Sequence, residues 1–563
     1  MNLFMLNDNK KLRNFLINVI IILSFAVFSA LSVFLIFRSH FVPGEWDLDF
    51  HWQRIFEMKK DMIEHDFMST IALTYFHQSG SAVMSMYPKI NLFPMVLISF
   101  FVKSQVVFFN LLFALVNFFS LLIAYFSSYG FNKNRRVSFI FSISYVLSGI
   151  FISNYAGQSS LGTLSSLSYL PLVLFGFLSL LKKDKFIELT LGISAIFLSH
   201  VLSFGIVIMF LSFLILFNFD YFKNRSKLIS LIKSILVSIL ISSVFWIPFI
   251  MISFYNKLMI PSVSNIQGDD VLRFLSDGFS DKVSNYIGII AVIGFILSIV
   301  YYKALSKDLK KMLWISLIFM IIASNLFPWE LLGSTFINHI QYPSRLYIIP
   351  QIIFCYIFAQ IVIYKTKDSF LKNKIVVILS LVVILLQLNL QKSIINSNIN
   401  KPEISNPYSF DINFVLKNNS DFNNILNSNL SSSDYYPNSA IPKYGDIMNH
   451  VATFNKKHSI KVKAIGYGKF EFNIPNKAYN FTLPFLYYKN INYSISLDGK
   501  HTHGYPNESN LMTINNVSRG QHTVQVIVHK SWYDYLSYVL SSLGIVILLY
   551  SLIKDYCLKR KNE

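Results

Sequence analysis

Charged residues are scarce in this chain. Asp, Glu, Lys and Arg together make up 14% of the 563 residues, whereas 53% of the residues are hydrophobic. A soluble chain of this length carries about a quarter charged residues and is divided into several domains. The composition therefore excludes a soluble globular protein and predicts a polytopic membrane protein.

Cysteine is nearly absent. Cys355 lies inside a predicted membrane span, and Cys557 lies in the C-terminal tail. Two cysteines placed in this way cannot reach each other to form a disulfide. Any domain outside the membrane must therefore be stabilised by its own hydrophobic core.

Acidic residues are outnumbered by basic ones. The chain has 29 Asp and Glu against 49 Lys and Arg, which gives a net charge of +20. An excess of this size can indicate nucleic-acid binding, but here the basic residues lie in short loops between apolar runs. That distribution is typical of membrane topology, and it argues against nucleic acid as a partner.

Apolar runs predict about twelve membrane spans, since roughly twenty apolar residues cross a bilayer and shielded helices need fewer. The runs lie near residues 14–37, 106–128, 137–153, 161–181, 186–200, 202–219, 229–252, 285–302, 312–327, 346–364, 375–391 and 534–553. The run at 91–102 is too short to cross alone, and it is predicted to be interfacial or re-entrant.

The positive-inside rule assigns an orientation to these spans. With both termini in the cytoplasm, every cluster of Lys and Arg falls inside the cell. The loops 38–90, 154–160, 254–284, 328–344 and 392–533 then fall outside. The sequence therefore predicts a multi-pass protein of the cytoplasmic membrane with its long loops facing outward.

Two of these outer segments are too long to be simple connectors. In segment 38–90, the pattern at 49–66 predicts an amphipathic helix that lies on the membrane surface. In segment 392–533, period-two runs and turn residues predict a compact, mostly β domain. We therefore predict a transmembrane domain over 1–391, an outer β domain over 392–533, and a last span with a basic tail over 534–563.

The first outer loop opens on a concentrated polar stretch, residues 44–55, directly after the first span. In an extended segment, Asp47 and Asp49 would point to the same side. Two such carboxylates can hold a divalent cation, Mg²⁺ or Mn²⁺, or one of them can act as a general base. The alternative is a solvated juxtamembrane helix in which His51 makes ordinary interfacial hydrogen bonds.

Three stretches carry a resemblance to a known family. They are Asp47-Leu48-Asp49-Phe50-His51-x-x-Arg54-Ile55, then Gln341-Tyr342-Pro343-Ser344-Arg345, and the tail from Tyr487-Tyr488 through Asp498-Gly499-Lys500 to residues 524–528. The first is similar to the first-loop signature of bacterial GT-C superfamily glycosyltransferases. Within that superfamily, the chain resembles the YfhO-type and 6-pyruvoyl-tetrahydropterin-synthase-related membrane proteins. Tyr342 and Ser344 depart from the aromatic residues usual in the second motif.

The resemblance implies a GT-C-like fold and a sugar transferase that uses a polyprenyl-phosphate-linked donor outside the cell. Asp47 matches the acidic position of the motif and is the expected base, with His51 and Arg54 completing the catalytic group. Arg345 is expected to stabilise the leaving phosphate. No Gly-rich nucleotide loop occurs, so no nucleotide cofactor is expected.

The expected partners follow from this chemistry. The donor is a polyprenyl-phosphate sugar in the bilayer, and the acceptor is a cell-envelope glycopolymer, a lipid or a protein. A separate enzyme must make the lipid-linked sugar, and a flippase must bring it to the outer face.

Further site candidates lie in other outer loops. His200 lies at a predicted outer turn and is a second candidate for binding the donor phosphate, although a packed histidine is the alternative. Lys257, Asp269, Asp270 and Arg273 in loop 254–284 are candidates for gating a substrate, with simple solvation as the alternative.

Two other functions compete with the transferase. A lipid or polysaccharide transporter should show internal repeats or charges within its spans, and the sequence shows no repeat. A non-catalytic scaffold would use the outer β domain to bind cell-wall polymer, and Asp47 and Arg345 would then be dispensable.

Overall fold

The computed structural model describes residues 2–44, 47–261, 266–280, 283, 286–333, 335–402, 414–427, 433–455 and 458–561. Of the polar stretch at 44–55, Glu45 and Trp46 lie outside the described residues. Parts of loop 254–284 and of the Asn-rich start of segment 392–533 lie outside them as well.

Helices account for most of the described chain. In the first half they are α1 (Asn2–Leu31), α2 (Phe34–Arg38), α3 (Leu48–Ile63), α4 (Val83–Met86), α5 (Phe93–Ser99), α6 (Gln105–Asn132), α7 (Arg135–Val146), α8 (Gly149–Ile152), α9 (Leu161–Lys183), α10 (Ile187–Phe197), α11 (Val201–Phe217) and α12 (Arg225–Tyr255). In the second half they are α13 (Val271–Phe279), α14 (Ile289–Val300), α15 (Lys307–Ala323), α16 (Ile348–Lys365), α17 (Ser369–Asn398), α18 (Asn419–Leu426), α19 (Tyr444–Met448) and α20 (Trp532–Lys561).

The helices make this a multi-pass membrane protein. Among the described residues, seven helices are long and apolar enough to cross a membrane, and α7 with the bent segment after it makes an eighth. The runs predicted as spans at 186–200, 202–219, 285–302 and 312–327 form the shorter helices α10, α11, α14 and α15. The count of about twelve spans therefore stays a prediction, as does the orientation of the termini.

The strands lie almost entirely between α17 and α20. They are β1 (Val42–Gly44), β2 (Phe414–Leu416), β3 (Val451–Phe454), β4 (His458–Lys461), β5 (Lys463–Gly466), β6 (Lys469–Ile474), β7 (Ala478–Leu486), β8 (Asn492–Leu497), β9 (Lys500–Thr502), β10 (Gly504–Pro506), β11 (Leu511–Val517) and β12 (Gly520–His529). The predicted outer β domain before the last helix is confirmed as a β-rich unit, although α17 continues to Asn398, beyond the predicted boundary at 391.

Two five-stranded antiparallel sheets form this β unit, with strand orders β10-β11-β7-β3-β4 and β5-β6-β12-β8-β9. Their inner faces enclose a common core, in which the rings of Phe472 and Phe481 stack with centroids 4.3 Å apart. The predicted turn at Asp498-Gly499 joins β8 to β9, and both residues have positive φ. A separate pairing of β1 with β2 ties segment 38–90 to the chain that leads into the β unit.

Helix α3 corrects the prediction for residues 49–66. The amphipathic pattern predicted a helix on the membrane surface, with one solvated polar face. Instead, the polar residues Gln53, Arg54, Glu57 and Asp61 are all buried. Most of their partners belong to segment 38–90: Glu57, for example, accepts hydrogen bonds from the amides of residues 73–75, and Asp61 accepts from the Ser69 hydroxyl. Helix α3 is therefore enclosed by protein, because these buried polar groups find partners there.

Candidate active site

Four helix starts meet at one place beside the β unit. Asp47 is the N-cap of α3, Ser160 is the N-cap of α9, and His200 is the N-cap of α11. Arg345 lies in the short 3₁₀ turn Pro343–Tyr347 that leads into α16. We define the candidate site as Asp47, His51, Arg54, Tyr87, Ser160, His200 and Arg345. Helix N-termini carry partial positive charge, so their convergence favours an anionic ligand.

Asp47 does not use its carboxylate as a helix cap. An N-cap aspartate usually accepts a hydrogen bond from the second or third amide of its helix, but Asp47 makes no such bond. Its carboxylate instead interacts with the Ser160 hydroxyl, and the positive charge of Arg345 lies within electrostatic range. Burial raises the pKa of Asp47, while Ser160 and Arg345 oppose that rise. The half-buried carboxylate therefore has the position and the electrostatics of a base.

Asp49 lies in the first turn of α3, and the extended geometry that would align it with Asp47 does not occur. Burial raises the pKa of Asp49 to about 7, and the charge of Asp47 adds to that rise. Among the described residues, no group of three or more His, Cys, Asp or Glu side chains could hold a metal ion. A divalent cation held by Asp47 and Asp49 alone, with water as the other ligand, stays a prediction.

His51, Arg54 and Tyr87 form the floor of the site. Arg54 Nη1 donates to His51 Nδ1 at 3.3 Å, and Arg54 Nη2 donates to the carbonyl oxygen of Pro88. The guanidinium carbon lies 4.3 Å from the centroid of the Tyr87 ring, within cation–π distance. Burial and the Arg54 charge lower the pKa of His51, so that this imidazole is neutral. His51 and Arg54 are almost fully buried, and Tyr87 is half-buried.

His200 and Arg345 form the wall of the site at the helix ends. The His200 Nδ1 atom accepts a hydrogen bond from the Ser203 amide at 3.3 Å, so the ring carries its proton on Nε2. Arg345 lies within electrostatic range of His200 and of Asp47. Among the described residues, the Arg345 guanidinium donates only through Nη1, to Ile340 O at 3.0 Å and Gln341 Oε1 at 2.9 Å.

Gly162 lies close to two residues of the candidate site, Tyr87 and His200. A Cβ atom at Gly162, in the first turn of α9, would lie 2.3 Å from Tyr87 Oη and 3.1 Å from His200 Cδ2. Tyr87 of the floor and His200 of the wall therefore both lie close to Gly162, and a side chain at Gly162 would collide with them.

The candidates from loop 254–284 lie elsewhere. Asp269 accepts a hydrogen bond from the Tyr286 hydroxyl at 2.8 Å, and its backbone pairs with the segment after α15. Arg273 is exposed and forms an ion pair with Asp277 at 3.6 Å. Lys257 contributes its carbonyl oxygen to a hydrogen bond with the Asn438 amide, and Asp270 is exposed. The structure therefore brings Asp47, His51, Arg54, His200 and Arg345 together but places these four residues outside the site.

Sequence reasoning missed several neighbours of Asp47. Tyr87 and Ser160 are contributed by segments without a distinctive motif. Asp434 and Tyr435 come from the chain that leads into the β unit, and both interact electrostatically with Asp47. Only the Tyr87-Pro88 pair, just before the short run at 91–102, was a local hint.

Comparison with known proteins adds little to this geometry. No protein-family model matches the chain, and no match is found among curated proteins. Among solved structures, there is a weak likeness to the crystal structure of ArnT from Cupriavidus metallidurans bound to undecaprenyl phosphate. Its TM-score is 0.39 and its sequence identity 9%, over 62% of this chain and 60% of that chain. A likeness at this level indicates neither the fold nor the activity of this chain.

Proposed function

We propose that the protein is a glycosyltransferase that moves a sugar from a polyprenyl-phosphate-linked donor to an acceptor outside the cell. One observation carries this proposal: the Asp47 carboxylate makes no capping hydrogen bond to its helix and lies near Arg345, where four helix starts converge. That arrangement combines a base with an anion-binding wall. The resemblance of residues 47–55 and 341–345 to GT-C motifs supports the same reaction.

The donor phosphate fits the wall formed by Arg345 and His200. A guanidinium binds phosphate oxygens and stabilises the negative charge that develops as the phosphate leaves. His200 offers a proton on Nε2, and the N-termini of α9, α11 and α16 add partial positive charge. Because these N-termini belong to apolar helices, the lipid chain of the donor can stay in the bilayer while its phosphate enters the site.

Asp47 is the base for the acceptor. Its carboxylate takes the proton from an acceptor hydroxyl, whose oxygen then forms a bond to the anomeric carbon. The bond between that carbon and the phosphate oxygen breaks, and its electron pair leaves with the polyprenyl phosphate. Displacement of this kind inverts the anomeric configuration. His51 and Arg54 support the reaction from the buried floor, since they hold Tyr87 and the start of α3 in place.

The location and the partners belong to the same proposal. The site faces outward from the cytoplasmic membrane, both termini lie inside, and the acceptor is a glycopolymer, a lipid or a protein of the cell envelope. A separate synthase and a flippase supply the donor.

Glycan analysis of cells tests the proposal. Membrane and envelope glycans are compared by mass spectrometry for wild-type, deletion and Asp47→Asn cells, with Glu64→Gln, an exposed carboxylate at the end of α3, as the control. We expect one sugar substituent to be lost in the deletion and reduced about 100-fold or more in Asp47→Asn, as removal of a general base predicts. Glu64→Gln should retain it. Identical glycans in wild-type and deletion cells that make the protein would contradict the proposal.

A further inference from the structure

A short segment of the chain that leads into the β unit lies across the candidate site. We call residues 433–436 the strap. The Tyr435 amide donates to Met259 O at 2.8 Å, and the Met259 amide donates to Tyr436 O at 2.8 Å. Leu258 and Pro437 extend this pairing as an antiparallel bridge. The strap is therefore fastened to the chain that follows α12.

The other side of the strap is fixed by buried tyrosines. The Tyr488 hydroxyl donates to Tyr435 O at 3.0 Å and accepts from the Ala82 amide at 3.2 Å. The Tyr436 hydroxyl donates to Ser79 Oγ at 2.9 Å. These bonds hold Tyr435 in a left-handed backbone conformation, with φ of 65°, which is unfavourable for a residue with a Cβ. The conformation of Tyr435 is thus imposed by its surroundings.

This conformation brings the Tyr435 side chain to the candidate site. The ring packs against both the helical core and the core of the β unit. Its hydroxyl lies within electrostatic range of Arg54, Asp47 and Asp434, and burial raises the pKa of Tyr435, so the hydroxyl stays protonated. Asp434 also lies close enough to Asp47 to influence its ionisation.

The strap therefore gives the site a second side with different chemistry. The helix side carries Arg345, His200 and partial positive charge, which suit a phosphate. The strap side carries a neutral hydroxyl and a carboxylate beside Asp47. Two carboxylates repel an anion, whereas a carboxylate and a phenol together bind uncharged hydroxyl groups well.

We propose that Tyr435 and Asp434 form the acceptor side of the site, where they bind hydroxyl groups of an uncharged acceptor and hold one of them beside Asp47. This inference rests on the transfer reaction proposed above. It makes the β unit part of the active site, because the strap belongs to the chain leading into that unit. It also names the acceptor class: a polyhydroxylated molecule that is neutral where it enters the site.

Paired tyrosine variants test this assignment. Tyr435→Phe removes the hydroxyl that faces the site, whereas Tyr505→Phe removes a hydroxyl of the β unit, outside the strap, that donates to Asn515 Oδ1 at 2.6 Å. Each variant is expressed in the deletion strain, and transferred sugar is measured per amount of membrane protein. The melting temperature of each purified variant is also measured with and without undecaprenyl phosphate. This ligand probes only the helix side of the site.

We expect Tyr435→Phe to lower transfer about tenfold or more, which is the size of effect that loss of a positioning contact produces. Its melting temperature and its stabilisation by undecaprenyl phosphate should match wild type. Tyr505→Phe should stay within about twofold of wild-type transfer, and Asp434→Asn should lower transfer with an unchanged undecaprenyl-phosphate shift.

Three results would overturn the assignment. They are full transfer by Tyr435→Phe, equal losses in the two tyrosine variants, and loss of the undecaprenyl-phosphate shift in Tyr435→Phe. Wild-type glycans identical to those of the deletion strain would overturn the transferase proposal and the assignment together, whereas a fully active Tyr435→Phe would overturn the assignment alone.

Discussion

At the residue scale, the environment of Asp47 differs from that of an aspartate that only caps a helix. An aspartate at an N-cap normally stabilises its helix by about 1 kcal/mol through a hydrogen bond to the helix amides. Asp47 makes no such bond. Its carboxylate interacts instead with Ser160 and with the positive charge of Arg345. The start of α3 therefore lacks a stabilising cap bond at the position where the proposed chemistry needs a carboxylate.

Gly162 offers a test of the site geometry at the same scale. Gly162→Ala places a Cβ atom 2.3 Å from Tyr87 Oη and 3.1 Å from His200 Cδ2, so one of these side chains must move. We expect transfer to fall about tenfold or more, because small misplacements of catalytic groups are costly. Gly205→Ala is the matched control, since Gly205 is also helical and a Cβ there meets no atom within 4 Å. Transfer rates in membrane vesicles from the two variants should differ clearly; equal rates would contradict this geometry.

The sequence pointed to one part of the candidate site and gave no sign of another part. Asp47 and Arg345 were found because each lies in a short motif at the end of an apolar run. Tyr435 had no such context: its place in the site depends on pairing with Met259 and on Tyr488, which are distant in sequence. Contacts of this kind arise only when the β unit packs against segment 38–90.

At the element scale, helix α3 shows why a polar pattern can mislead. Gln53, Glu57 and Asp61 recur at helical spacing, as they would on a solvated face. In the structure, Glu57 binds three backbone amides, Gln53 Oε1 accepts from the Phe76 amide, and Asp61 accepts from the Ser69 hydroxyl. The long apolar runs, by contrast, do coincide with the long apolar helices, because length and composition determine where such a helix forms.

Asp61 makes the stability of the protein depend on pH. Burial and the charge of Glu57 raise the pKa of Asp61 to about 9, and Asp66 and Lys89 also face this carboxyl. In the unfolded chain an aspartate ionises near pH 4, so folding favours the protonated form. The stability from protonated Asp61 is therefore complete below about pH 4 and is lost as the pH rises towards about 9.

We expect Asp61→Asn to remove this pH dependence. We compare the melting temperatures of Asp61→Asn and wild type in detergent at two pH values. The difference, variant minus wild type, should be larger at pH 8.5 than at pH 5.5, because the asparagine never ionises. Asp220→Asn is the control: the ion pair with exposed Lys223 lowers the pKa of Asp220, so its charge is the same at both pH values. A difference between Asp61→Asn and wild type that is the same at both pH values would contradict this account.

At the scale of the whole molecule, segment 38–90 joins the helical part to the β unit. The Leu486 amide donates to Ser79 O at 2.8 Å, and the Gly466 amide donates to Gln78 Oε1 at 2.7 Å. An ion pair of 2.8 Å between Lys530 and Asp66 adds a further link. Because the same segment encloses α3, loss of the β unit's packing should disturb the helix that carries Asp47.

Two glycines with positive φ test this connection. Gly80→Ala and Gly499→Ala each place an alanine in the left-handed region, with φ of 73° and 77°, and pay a similar backbone cost of about 1–2 kcal/mol. At Gly80 the new Cβ also lies 2.5 Å from the Phe485 ring, whereas at Gly499 it meets nothing within 4 Å. We expect Gly80→Ala to lower the melting temperature of the helical circular-dichroism signal more than Gly499→Ala does. Equal decreases in melting temperature would show that the contact between Gly80 and the β unit does not affect the stability of the helical part.

The most direct test of the central claim is native mass spectrometry of the purified Asp47→Asn protein, because loss of the base should trap the donor on the enzyme. We predict a polyprenyl-phosphate-linked sugar bound to Asp47→Asn, and its absence from the Asp47→Asn/Arg345→Gln double variant, in which the phosphate contact is lost. No prenyl-phosphate species on Asp47→Asn, or equal amounts on the two proteins, would contradict the assignment of these residues to a sugar-transfer site.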